Sequence, residues 1–92
     1  MNNREMADTF ESIANLMEIK GEAIYRILAY RRAAETLRGL GRDIRFIWEA
    51  GELEQIPGVG KAIAGKIDEI IRTVNDLENV SDVKELVYLL LE

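Results

Sequence analysis

The sequence predicts an all-α fold, a compact bundle of four to five short helices in one domain that spans residues 1–92. Apolar residues recur at helical spacing, runs of β-branched residues are short, and the only proline, Pro57, stands in a turn. Hydrophobic residues make up 48% of the chain, which is enough for one modest core. Cysteine and histidine are absent, which excludes disulfides, thiolate metal sites and a histidine base.

The first two helices are predicted over about Arg4–Ile19 and Glu22–Leu37. The first helix is expected to end at Lys20 and Gly21, because a basic last turn and a following glycine are typical of a helix C-terminus. Each helix carries an apolar face at helical spacing. The residues predicted to point inward are Met6, Phe10, Ile13 and Met17 in the first helix, and Ile24, Ile27, Leu28, Ala34 and Leu37 in the second.

The third helix is predicted over Arg42–Ala50 and the fourth over Gly60–Val74, with Asn75 and Asp76 expected to break the fourth. A short turn through Leu53 and Gln55 lies between them. The predicted inward residues are Ile44, Ile47 and Trp48, then Ile63, Ile67, Ile70 and Ile71. Trp48 has two interpretations, a core residue or a platform on which a base stacks.

A last helix is predicted over Asp82–Leu91, and its residues from Leu86 to Leu91 are apolar on every side. A helix without a polar face needs burial on more than one side. Either the chain is a fragment of a longer protein whose remainder covers this helix, or the helix forms a dimer.

Residues 53–67 carry the strongest functional signal. They predict two helices joined by a tight hairpin at Ile56-Pro57-Gly58-Val59-Gly60, because Gly58 and Gly60 permit a close turn and Pro57 stiffens its entry. Free amides of the turn and the positive end of the next helix then face outward together, which makes an anion site. A DNA phosphate is the obvious anion, and the alternative is a helical corner that binds nothing.

The charge of the chain is segregated. Its net charge is −5, yet residues 26–72 hold nine of the 12 basic residues and seven of the 17 acidic ones, a local net charge of +2. The two ends together carry −7. The basic segment coincides with the hairpin, so we expect weak, salt-sensitive binding to a nucleic-acid backbone.

Four stretches together resemble the amino-terminal helix-hairpin-helix domain of the DNA polymerase beta-like family X DNA polymerases, from about Met6 to about Arg72. The stretches are Ile13-Ala14, residues 18–22, residues 29–34 and residues 53–67. The resemblance implies sequence-independent binding to the 5′-phosphate side of gapped or nicked DNA in base excision repair. It also implies a longer polymerase chain, since this sequence lacks the carboxylate triad that holds two metal ions.

The DNA contacts predicted from the hairpin and from the resemblance lie in two places. They are Gly58, Val59, Gly60 and Lys61 in the hairpin, and Arg26, Tyr30 and Arg31 in the second helix. Tyr30 could instead be a core residue, and Arg32 is predicted to be solvated.

The resemblance also implies a deoxyribose-phosphate lyase. In the family, a neutral lysine amine on the helix after the hairpin attacks the sugar aldehyde, and β-elimination follows from the Schiff base. Lys66 occupies that position, although Glu54, Ala62 and Gly65 replace two lysines and a glutamate of the family's pocket. A solvated lysine without chemistry is the alternative.

The resemblance further implies a potassium or sodium ion held by the backbone carbonyls of Glu54, Ile56 and Val59, and no other cofactor is predicted. Three functions therefore remain open: a DNA-binding module, a lyase acting through Lys66, and a protein-interaction domain that uses the apolar last helix. No apolar run of membrane length is present, so a cytoplasmic location without a membrane partner is predicted.

Overall fold

A computed structural model describes residues 1–76, 87–88 and 90–91. It contains α1 at Asn3–Lys20, α2 at Ile24–Arg38, α3 at Ile44–Glu49 and α4 at Lys61–Asp76, with a 3-10 turn at Leu53–Gln55. The described residues include no strand, so the all-α prediction is confirmed, and the four helices begin and end within two residues of the predicted positions. The prediction that Asn75 and Asp76 break the fourth helix is wrong, because α4 includes both.

Local sequence fixes how α1 begins and ends. Asn2 caps its start, since the Asn2 side chain accepts from the Glu5 N–H at 2.8 Å and the Glu5 carboxylate accepts from the Asn2 N–H at 3.2 Å. At the other end Gly21 adopts a φ of +75°, and the Glu22 N–H donates to the Met17 carbonyl at 2.9 Å. The chain therefore reverses directly into α2.

One core holds the elements together. Its fully buried members include Met6 and Phe10 of α1, Leu37 of α2 and Ile67 of α4, as their spacing predicts. Asn3 ties α1 to the start of α3, because its side-chain amide donates to the Arg42 carbonyl at 2.6 Å and accepts from the Ile44 N–H at 2.8 Å.

Two residues predicted to point inward from the second helix lie on the surface instead. Ile24 is 74% exposed and Leu28 is 49% exposed. Ile27 and Leu37 set the orientation of α2, and Leu28 is rotated by about 100° from Ile27. Ile24 lies in the first turn of α2, and Ile19 in the last turn of α1 is also exposed.

The last predicted helix is described only in part. Val87, Tyr88, Leu90 and Leu91 are helical, with Val87 buried and Tyr88 exposed. The other residues of that prediction, which include Leu86 and Leu89, lie outside the described residues. No helix in the described part of the chain is long and apolar enough to cross a membrane.

Candidate nucleic-acid interface

The hairpin between the 3-10 turn and α4 is held by its own backbone and by two buried side chains. The Val59 N–H donates to the Ile56 carbonyl at 3.0 Å, and both side chains are buried in the core. Gly58 has a φ of +83°, a left-handed conformation that disfavours any residue with a Cβ atom. The predicted hairpin is therefore present, and the buried Val59 side chain anchors it to the core.

The amides that follow the turn are available to a ligand. Within the described residues, the N–H groups of Gly60, Lys61, Ala62 and Ile63 have no acceptor, and the next N–H, of Ala64, bonds to the Gly60 carbonyl at 2.9 Å. Gly60, Lys61 and Ala62 are exposed. Unpaired N–H groups at the positive end of a 16-residue helix form an electropositive surface that suits an anion.

The side chains that were predicted to contact DNA from α2 have partners within the protein. Arg26 pairs with Glu22 at 3.0 Å, and Arg31 pairs with Glu18 of α1. Tyr30 is half-buried, with its ring 5.3 Å from that of Phe10 between centroids. An anion at this surface would compete with carboxylates, whereas Lys61 at the hairpin forms no ion pair with any described residue.

Lys66 lies elsewhere on α4. Its amine donates to Glu69 at 2.8 Å, and its side chain is 22% exposed. Lys66 lies five positions after Lys61, a rotation of about 140° around the helix, so the two amines face different sides. The structure therefore brings together the hairpin residues but not Lys61 and Lys66.

An open groove of about 770 Å³ runs between α3 and α4. Its walls carry the exposed Lys61 at one end and a three-residue network at the other. The Trp48 indole N–H donates to Asp68 at 2.7 Å, Arg72 donates to the same carboxylate at 3.0 Å, and the Arg72 guanidinium lies 5.6 Å from the indole centroid. These donors hold the pKa of the Asp68 carboxyl below its usual value.

Sequence reasoning missed this network. Trp48 is half-buried, and its indole N–H is occupied by the hydrogen bond to Asp68. The four-residue spacing of Asp68 and Arg72 could have indicated their ion pair, but nothing in the sequence connects Trp48 with a carboxylate 20 residues later.

The carbonyl groups predicted to hold a monovalent cation are chemically suited to it. The Ile56 carbonyl accepts the Val59 N–H and keeps its second lone pair, and within the described residues the carbonyls of Glu54 and Val59 have no donor. Neutral carbonyl oxygens are ligands for potassium and sodium.

The turn, its unpaired amides and the helical segments on either side define a helix-hairpin-helix module. Residues 1–76 match the family model described as the helix-hairpin-helix domain, and the chain belongs to that family. Among curated proteins it is similar to the DNA polymerase/3'-5' exonuclease PolX of Bacillus subtilis (strain 168), with 31% identity over 71 residues. That alignment covers 77% of this chain and 12% of the relative, and it confirms the resemblance to family X polymerases. No solved structure gives a significant match.

Proposed function

We propose that this domain binds the DNA backbone without sequence preference, as the amino-terminal domain of a family X repair polymerase. The observation that carries the proposal is the row of unpaired amides at the exposed residues Gly60, Lys61 and Ala62, beside the Lys61 side chain. Backbone amides and a lysine reach phosphate oxygens and not base edges, so the contact holds no sequence information.

We further propose that the strand bound is the one that carries a 5′-phosphate at a gap or nick. The membership of the helix-hairpin-helix family and the PolX relative support a polymerase context, and a terminal phosphate carries more negative charge than a phosphodiester. Arg26, Tyr30 and Arg31 are the proposed contacts on α2. The ion pairs of Arg26 with Glu22 and of Arg31 with Glu18 would open on binding.

The test is a titration of dye-labelled duplex, followed by its anisotropy, with a one-nucleotide gap and a downstream 5′-phosphate. Lys61→Gln is expected to weaken binding by about three- to tenfold at low salt, the effect of losing one hydrogen bond of ordinary net strength. It should also reduce the slope of log affinity against log salt by about one. Equal affinity of Lys61→Gln and the parent chain would refute the hairpin as the binding site.

Arg38→Gln is a charge-matched control. Arg38 already donates to Asp8 and Glu11 of α1, so its removal should leave the affinity within about twofold of the parent. Removing the downstream 5′-phosphate tests separately the proposed preference for the strand that carries it. If the gapped duplexes with and without it bind equally, the domain is a backbone binder with no preference for the 5′ end.

A second candidate is the lyase, and the partial burial of Lys66 favours it, because most surface lysines are more exposed than 22%. The pair with Glu69 would have to open before the amine could attack a sugar aldehyde. Borohydride reduction with an abasic 5′-deoxyribose phosphate should trap a covalent adduct in the parent chain and none in Lys66→Ala. Absence of an adduct in the parent chain would refute the lyase and leave DNA binding untouched.

The carbonyls of Glu54, Ile56 and Val59 are the proposed ligands of a potassium or sodium ion that bridges the hairpin to a phosphate. Such an ion would neutralise a phosphate oxygen at the turn. DNA affinity measured at constant ionic strength in potassium or sodium and in a bulky organic cation tests this, since equal affinities would refute a bound ion.

A further inference from the structure

The outer face of α2 leads directly to the hairpin. Thr36 is the α2 residue at this junction, because a Cβ atom placed on Gly58 would lie 3.7 Å from the Thr36 hydroxyl oxygen. That hydroxyl donates to the carbonyl of Arg32 at 3.0 Å, which aligns it along the helix towards Arg32. Residues four apart share a helix face, so Arg32 lies on the same side of α2 as the hairpin.

Arg32 differs from its neighbour in direction and in partners. The Arg31 guanidinium donates to Asn15 at 2.9 Å and pairs with Glu18, so it points to α1. Arg32 is exposed and makes no ion pair with any residue that the structure describes. The sequence alone predicted Arg31 on the DNA side and Arg32 in solvent, and the structure adds that Arg31 has a carboxylate partner whereas Arg32 has none among the described residues.

The spacing also suits a nucleic-acid strand. Four residues of helix place Arg32 about 6 Å along α2 from Thr36, and phosphates of one strand follow each other at about 3.4 Å along a duplex axis. A strand with one phosphate on the amides of Gly60 and Lys61 that continues over Gly58 and Thr36 would bring a later phosphate towards Arg32. An arginine without a carboxylate partner can take a phosphate with two parallel hydrogen bonds.

We propose that Arg32 is a DNA-phosphate contact that extends the binding surface from the hairpin on to the outer face of α2. The strand then crosses from the start of α4 over Gly58 and Thr36 to Arg32. This inference rests on the proposed DNA-binding function and adds to it a residue and a path for the strand.

The test compares Arg32→Gln with Arg38→Gln, two substitutions on one helix that lose the same charge. Arg32→Gln is expected to weaken binding to the gapped duplex by about three- to tenfold and to reduce the salt slope by about one. Arg38→Gln should change the affinity by less than about twofold, because its charge is already neutralised by Asp8 and Glu11. Arg32→Lys keeps the charge and should restore most of the affinity and the whole salt slope.

The outcomes separate the inference from the function on which it rests. If Lys61→Gln weakens binding but Arg32→Gln does not, or if Arg38→Gln has the larger effect, the path over α2 is wrong and the hairpin site stands. If the parent chain does not bind and Lys61→Gln changes nothing, both are wrong. Arg32 is exposed, so its variants should fold, and equal thermal midpoints by circular dichroism verify this.

Discussion

The two glycines of the hairpin should respond differently to the same change, because only one of them needs to be glycine for the fold. Gly58→Ala forces an L side chain into a φ of +83°, whereas Gly60 lies outside the left-handed region and an added Cβ would meet no atom within 4 Å. At Gly58 the nearest atom to that Cβ is the Thr36 hydroxyl at 3.7 Å, an ordinary contact. The penalty at Gly58 is therefore one of backbone conformation alone.

The magnitude follows from that difference. A left-handed backbone costs a residue with a Cβ atom about 1–2 kcal/mol. Both variants lose the same flexibility of glycine in the unfolded chain, worth about 0.4–1 kcal/mol in favour of folding. That term cancels between the two variants, so Gly58→Ala should be less stable than Gly60→Ala by about 1–2 kcal/mol. For a domain of this size each kcal/mol lowers the midpoint of thermal unfolding by about 4–8 °C.

Urea and thermal unfolding of both variants, followed by far-ultraviolet circular dichroism, measure this difference. Equal stability of the two variants, or a less stable Gly60→Ala, would refute the assignment of the left-handed turn to Gly58. The DNA titration adds a second comparison. Gly60→Ala should be at least as stable as the parent yet bind DNA more weakly, because the added methyl group keeps a phosphate away from the neighbouring amides.

Three further variants test the core, α4 and the Asp68 network. Phe10→Ala removes a fully buried ring and should destabilise the domain by about 3–5 kcal/mol in urea unfolding, and a loss below about 1 kcal/mol would contradict its place in the core. Gly65→Ala should raise stability by about 0.5–1 kcal/mol, since an added Cβ meets nothing within 4 Å and alanine favours a helix; a loss would reveal an unseen clash. Folding lowers the pKa of the Asp68 carboxyl, so the contribution of its hydrogen bonds to the free energy of unfolding is complete above a pH of about 4. That contribution is lost as the pH falls through the lower pKa of the folded state. Urea midpoints should therefore fall less between about pH 7 and about pH 3 in Asp68→Asn than in the parent, and identical losses would refute the linkage.

The hairpin could be predicted from sequence because its determinants are local. Glycines that permit the turn, a proline at its entry and apolar residues on both sides all lie within residues 53–67, and their interactions are with near neighbours. Helix boundaries were predictable for the same reason. Caps such as Asn2 and stops such as Gly21 act within one turn.

The partners of the arginines could not be predicted, since they depend on how the helices pack. Arg31 and Arg32 are adjacent in sequence, yet a rotation of about 100° between them sends one to α1 and leaves the other on the outer face of α2. The same rotation leaves Leu28 exposed beside the buried Ile27. A pattern of apolar residues fixes the face of a helix only when the pattern is unambiguous, and that of α2 is broken by alanines and arginines.

The hydrogen-bonded Trp48 gives the molecule an intrinsic optical probe. It is the only tryptophan in the chain, so its fluorescence can be excited without contribution from another indole. Because its N–H donates to Asp68 across the gap between α3 and α4, its emission should shift as soon as these two helices separate. Ellipticity reports all the helices together. Coincidence of the two signals during unfolding would show that the contact between α3 and α4 is lost in one cooperative step with the rest of the domain.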